Sequence, residues 1–471
     1  MLRKILFLLM LCVVLPAASQ KEMISFKNTL KTSRSEIKDV TPIVNSETGD
    51  FAIFIADAKN VYAYKLDKNF SVQAKLSSPE RRRKYRLLLG SSVSSTNDYV
   101  VYLSDNNRLK FLRLQFSFDT QEITEKEFRF DDPKERLLQT VSVKNKFYAF
   151  TFHSLKQQVF LYTFDDKGDS KRDELDFSSF TFLGMRGKEI SFRRIVTPEM
   201  INTPVSKFFE NDPQSIESVT ELRKLYVRDD KVFFTFDQNK QYTQVASIDL
   251  NSQELDVKKF EKPLSDASFK EKKTNSYLNG DYVFVASGTK KSYVLRIFNY
   301  TTQELVKEYS IEKDESINFK NTPIMQLGGT YKEYRELEKT KQFLRKINQN
   351  KMGLAVFKRA DGYQISLGGS QPTGAGVPVP VFSFGNFVYF FNTSALAYST
   401  YYASKSTKID CLFDNSFNHV EGEIQKNAFD KMAKYQSPVI NAQVIFKYDD
   451  FYLKGLYDKK TTTYRLRKFT N

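Results

Sequence analysis

The chain has no tryptophan, two cysteines and two histidines among 471 residues. Without tryptophan, any sugar-stacking platform has to be built from Tyr or Phe. Cys12 falls in the N-terminal apolar run, so after removal of that run Cys411 would be the one cysteine left. No disulfide could then form within one molecule, and stability has to come from an apolar core. The 42 Phe and 26 Tyr supply ample material for one. With only His153 and His419, no HxH, HExxH or CxxC metal pattern appears, and GxSxG elbows and phosphate-cradling glycine loops are missing too. No metal and no cofactor are expected.

The chain opens MLRKILFLLMLCVVLPAAS. Arg3 and Lys4 precede an apolar run from Ile5 to Ala18, and Ala17 and Ser19 are small residues suited to cleavage. The run is short for a bilayer span and right for a signal peptide, so residues 1–19 are expected to be removed on export to a periplasm, a cell surface or the medium. No later segment is apolar enough to span a membrane. Losing Arg3 and Lys4 lowers the net charge by two from +16. That balance favours a protein or an anionic envelope polymer as partner. Nucleic acid is not expected for an exported chain lacking a recognisable module.

Two elements recur. One is a turn pair followed by an apolar run: GDFAIFI (49–55), NDYVVYL (97–103), NKFYAFTF (145–152), DDKVFFTF (229–236), GDYVFVA (280–286) and GNFVYFF (385–391). Asn, Asp and Gly suit the positive φ of tight turns, and the β-branched and aromatic residues after them form strands. Runs this continuous in hydrophobicity are buried on both faces. The second element is a pentapeptide, DTQEI (119–123), NSQEL (251–255) and TTQEL (301–305). Asn97 to Gln121, Asp229 to Gln253 and Gly280 to Gln303 are intervals that agree to within one residue. A half-buried strand lies between the two elements, and a polar strand such as LVKEYSI (305–311) follows the pentapeptide. The pentapeptide therefore reads as the outer hairpin turn of a repeated antiparallel sheet.

A period of about 50 residues with four strands per unit resembles the β-propeller architecture over residues 41–470. The resemblance implies an all-β fold of about seven four-stranded antiparallel blades near 41–79, 86–132, 137–179, 221–262, 271–314, 350–415 and 438–470. Six and eight stay open because 350–415 is irregular. The strand around Met23–Phe26 would close the ring against the last blade, making residues 20–471 one propeller domain. Insertions with short helices are expected near 180–220, 331–350 and 422–435. They would either plug and brace the ring or carry a binding face. The helical face of 331–350 would hold Tyr334, Leu337, Phe343, Leu344 and Ile347, and that of 422–435 Ile424, Ala428, Met432 and Tyr435. No functional family is implied: the Trp-based propeller motifs are missing, and double glycines occur only at Gly328–Gly329 and Gly368–Gly369.

Candidate chemistry is sparse. His153 ends a buried strand and is expected to be a hydrogen-bonded structural residue. Cys411 and His419 could form a thiolate–imidazole pair, against the simpler reading of a buried thiol before a turn. Acid pairs such as Asp229–Asp230 fall at turns, where Asp caps backbone amides. Two stretches are candidate ligand-binding elements. LGGSQPTGAGVPVPVF (367–382) is expected to be a Gly/Pro loop presenting Gly368, Gly369, Gly374 and Gly376. PERRRKYR (79–86) offers Arg81, Arg82, Arg83 and Lys84 to phosphate or carboxylate groups. The expectation is an exported, non-catalytic binding or scaffold propeller. The alternative is a carbohydrate-active or other hydrolase with carboxylates at the propeller mouth.

Overall fold

A computed structural model describes residues 20–32, 34–37, 39–57, 59–78, 84–85, 87–197, 205–327, 334–371, 406–435 and 442–471. Segment 1–19, expected to be a signal peptide, and the GNFVYFF run lie outside these residues. Seven antiparallel sheets follow one another along the chain, spanning 39–77, 87–128, 135–174, 223–261, 273–312, 324–413 and 443–469, the last completed by Gln20–Lys27. They are blades 1 to 7 of a β-propeller, and each blade's strands are lettered A to D from the axis outward.

The burial pattern explains the sequence pattern. B strands such as Phe51–Ala56 and Tyr99–Ser104 are buried at every residue, because a neighbouring blade covers each face. D strands such as Val72–Ser77 and Glu122–Phe128 alternate between half-buried and exposed residues. The repeated pentapeptide is the C–D turn. Gln121, Gln253 and Gln303 take φ of 59°, 62° and 61° there. In the second and third copies the strand ends in Asp249 or Asn299, whose side chain accepts two turn amides, from Asn251 and Ser252 or from Thr301 and Thr302. The sequence recurs because the same left-handed residue and the same capped turn recur.

The ring closes as expected. Gln20–Lys27 pairs antiparallel with Thr463–Phe469, Gln20 opposite Phe469, and so forms the D strand of blade 7.

Blade 6 departs from expectation. Its A, B and C strands are Lys351–Arg359, Gly362–Ser370 and Ser406–Phe413. The D strand, Ile324–Leu327, comes from upstream of all three, and Arg335–Leu337 pairs outside it. Tyr334 and Leu337 therefore precede the expected helix, and Leu337 lies in a strand. Helix α2 spans Thr340–Gln349 and buries Phe343, Leu344 and Ile347. A short earlier helix, α1, spans Phe192–Val196. The 422–435 helix is likewise shorter than expected: α3 runs Ala428–Lys434, capped by the Asn427 side chain, with Ile424 ahead of it.

Residues 205–220 of the insertion near 180–220 lie inside the ring, against its A strands. Ser206–Phe209 runs parallel to the A strand of blade 4, Arg223–Arg228, on its inner side. The chain then returns through a 3-10 turn at Ser218–Thr220. Gln139 of blade 3 donates to the Val205 carbonyl at 2.8 Å. Asn275 of blade 5 donates to the Val219 and Met352 carbonyls at 3.0 Å each. A Cβ on Gly353 of blade 6 would lie 2.5 Å from the Ile216 carbonyl oxygen, so only glycine lets the plug press that close.

Candidate functional site

Strands that run alternately up and down send their turns to opposite ends of the ring. A–B and C–D turns share one face. B–C turns and blade-to-blade connections share the other. Charge is sorted between the A–B turns and the B–C turns, while the C–D turns and the blade connections carry both signs. The A–B turns of six blades carry Asp50, Asp98, Asp230, Asp281, Asp361 and Asp450; blade 3 has Lys144–Asn145 instead. In five of these turns the residue before the acid, Gly49, Asn97, Asp229, Gly280 or Asp449, takes a positive φ, and Asp229 and Asp449 add a second acid in a conformation that Asp tolerates. Every described B–C turn carries a cation: Lys59, Arg108 with Lys110, Lys156, Lys240, Lys290 with Lys291, and Lys459 with Lys460. Asp57, Asp105 and Asp237 also open B–C turns: Asp57 and Asp237 are buried and spent on amides and neighbouring side chains, and the half-buried Asp105 accepts the Leu109 and Lys110 amides.

On the A–B face, above the plug, lies a vestibule of about 470 Å³ lined by Ser91, Ser92, Ser142, Lys144, Glu210, Asp212, Arg228 and Lys447, among others. Three asparagines lace its rim across blades 1 to 3. Asn45 donates to Asn97 at 3.0 Å, and Asn145 donates to Asn45 at 2.8 Å. The vestibule's two carboxylates come from the end of the plug strand. Glu210 accepts from Arg228 at 2.6 and 2.9 Å and from the Gly280 amide at 3.1 Å. Burial raises its carboxyl, with Arg228 pulling the other way. Asp212 accepts from the Tyr452 hydroxyl at 2.7 Å. Lys144 pairs with Asp230 at 2.5 Å.

Deeper inside, Lys207 of the plug donates to the Thr140 carbonyl at 3.1 Å, and burial lowers its amine to about 8. Between blades 4 and 5, Asp237 lies 3.2 Å from Lys262 and 3.5 Å from Lys224, all three side chains fully buried. Burial alone would raise the Asp237 carboxyl. The two lysines, with hydroxyl donors Ser276 and Thr243, bring it down to about 2.

Of the sequence candidates, Gly368 and Gly369 are not loop residues. They lie in the buried B strand of blade 6, opposite Lys408 and Thr407. A Cβ on Gly368 would collide with the Thr407 carbonyl, and one on Gly369 would press on helix α2 at Ile347, so glycine serves packing there. Gly374, Gly376, Arg81, Arg82 and Arg83 lie outside the described residues. Lys84 is exposed on the B–C face, 3.5 Å from Glu127 and over the Tyr85 ring. His153 is structural: it accepts the Leu155 and Lys156 amides and contacts Asp132 at 3.3 Å. Cys411 is a buried strand residue whose thiol burial pushes well up, and His419 contacts Asn321 instead. Among the described residues no group of three His, Cys, Asp or Glu could hold a metal ion. The vestibule residues had no sequence candidate, although the recurring turn pairs do mark the A–B rim.

No family model matches the chain, and no curated protein matches it. Among solved structures, it is similar to the Nup133 β-propeller domain of Vanderwaltozyma polyspora at 9% identity, covering 95% of this chain and 97% of that one, with a TM-score of 0.34. It is similar to the Dos1 propeller at 9% identity, covering 96% and 95%, with a TM-score of 0.30. An uncharacterized protein from Listeria monocytogenes EGD-e shares 8% identity over 93% and 98%, with a TM-score of 0.29. At those TM-scores the propeller assignment stands on the chain's own order of strands.

Proposed function

We propose that the chain is an exported, non-catalytic binding propeller of the cell envelope or extracellular space, which meets a protein or an anionic polymer through its cationic B–C face. The sorting of charge between the A–B and B–C turns carries this proposal. A scattered basic surface attracts anions everywhere, whereas cations gathered at one end of a ring focus that attraction and orient the encounter. The vestibule supports a non-catalytic role, since Glu210 and Asp212 are both engaged by donors of the fold. The test is capture of anionic polysaccharide and of envelope extract by the chain beginning at Gln20, beside a Lys290→Glu/Lys291→Glu variant. Wild-type capture that the variant weakens several-fold is expected. Equal capture by both proteins would defeat the assignment of the face.

A second reading, a hydrolase at the propeller mouth, is favoured by Glu210 alone, whose raised carboxyl suits a general acid. Turnover of a glycoside by the wild type that Glu210→Gln abolishes would establish it. Turnover left unchanged in that variant would remove Glu210 from consideration.

A further inference from the structure

The cationic face also carries exposed apolar side chains. Leu155, in the B–C turn of blade 3, is 71% exposed. Met185 is 57% exposed at the tip of the small hairpin formed by Phe182–Leu183 and Glu189–Ile190. Phe269, in the connection from blade 4 to blade 5, is 48% exposed. Leu109, in the B–C turn of blade 2, continues the row.

These tips are held in place rather than loosely displayed. Asn239, in the B–C turn of blade 4, donates to the Gly184 carbonyl at 2.9 Å and fastens the Met185 hairpin to the ring. Arg193 of helix α1 donates to the Ser154 carbonyl at 3.1 Å, beside Leu155. The Lys240 ammonium stands 5.6 Å from the centroid of the Phe269 ring. Lys240 lies near Lys272 and Lys273, and Lys272 is pushed down to about 8 by burial and by its cationic neighbours Lys240 and Arg296. Exposed cations Lys156, Arg186, Lys188 and Lys270 flank the apolar tips; Asp131, Glu189, Asp266 and Glu271 are exposed acids of the same rim, and Asp132 contacts His153 beside Leu155.

A soluble polyanion would need the cations and would leave the apolar tips in water. An anionic bilayer uses both, phosphates for the lysines and an apolar layer just beneath them. Resting on the binding role proposed above, we propose that the B–C face docks on an anionic lipid surface, with Leu155, Met185 and Phe269 seated below the headgroups. The acidic A–B turns, at the far end of the ring, are repelled by the same surface and set the orientation.

The experiment is flotation of the chain beginning at Gln20, which keeps every described strand, with vesicles of phosphatidylcholine alone or mixed with phosphatidylglycerol. Dextran sulfate serves as soluble competitor. Binding to the mixed vesicles is expected, falling about tenfold in a Leu155→Ser/Met185→Ser/Phe269→Ser variant whose melting temperature is unchanged. That variant should keep its affinity for dextran sulfate. Tight binding to dextran sulfate with none to the mixed vesicles would overturn the lipid proposal and leave the cationic-face role standing. So would vesicle binding that the triple variant leaves intact. Failure to bind either probe would overturn both.

Discussion

The seam between blades 2 and 3 and the seam between blades 4 and 5 solve one problem with opposite chemistry. In the first, Tyr102 stacks on Phe147 with centroids 3.9 Å apart, and Phe128 meets Phe164 at 5.1 Å. In the second, part of the contact is Asp237 with two buried lysines and the Asn275 and Ser276 side chains. Aromatic faces tolerate small displacements. A buried ion triad is held by several directional bonds at once, so it fixes the angle between its blades more tightly. The stiff seam also helps to hold the plug, through Asn275 and the Val219 carbonyl, as blade 3 does through Gln139 and Thr140.

The largest expected effect comes from breaking the stiff seam. Asp237→Ala strands two buried ammonium groups and should lower stability by about 3–5 kcal/mol, read by chemical denaturation. The wild type should show the matching acid limb. Asp237 titrates at about 2 in the fold, below its ordinary value, so its contribution is full above about pH 4 and is lost as pH falls through 2. Replacing all three charges (Asp237→Leu/Lys224→Met/Lys262→Met) should recover most of the loss, because apolar side chains of similar volume fill such sites well. Failure to recover would mean that the bonds to Ser276 and Asn275 matter more than charge balance.

In the aromatic seam, Phe147→Ala should cost about 3 kcal/mol through the cavity it opens, with no acid limb of its own. Gly90→Ala, by contrast, would thrust a methyl group to 2.6 Å from the same ring and test how far that seam yields. A smaller effect of opposite sign is expected in the plug. Lys207→Met should raise stability at neutral pH by about 1–2 kcal/mol. In the wild type the Lys207 amine sheds its proton at about 8 in the fold and near 10.5 when unfolded. Stability should therefore climb with pH between those values, and the variant should lose that part of the climb. The smallest effect expected is that of Asn45→Ala at the rim, about 1 kcal/mol for the lacing bonds to Asn97 and Asn145.

Much of this architecture can be read in the letters, for a local reason. An Asn, Asp or Gly turn followed by a doubly buried strand is encoded within about ten residues, and the copies at 49, 97, 145, 229 and 280 each open a B strand of the ring. The closing strand is legible because MISF lacks any other partner. Three features are not legible, and each depends on contacts distant in sequence. The D strand of blade 6 is only Ile324–Leu327, and nothing local says that it pairs with Ser406–Phe413. The plug strand, SKFF, is too short to show a period. Gly368 and Gly369 look like loop residues beside the Gly/Pro tract, yet the neighbouring strand and helix α2 require them. Of the site, the acids at turns such as Asp229–Asp230 are legible; which end of the ring each turn joins becomes clear only once the strands are paired.

The pairing of Gln20 with Phe469 has a consequence in time. The strand that completes blade 7 is among the first stretches of the propeller to leave the ribosome, and it cannot find its place until the last blade has followed. Until then it has no partner, and the outer edge of Thr463–Phe469 has no cover. The entropy of joining such distant segments grows only slowly with their separation, but the delay grows with the whole length of synthesis. A sheet edge left open that long invites pairing with another chain. The ring is therefore most vulnerable to proteases and to self-association just before it closes.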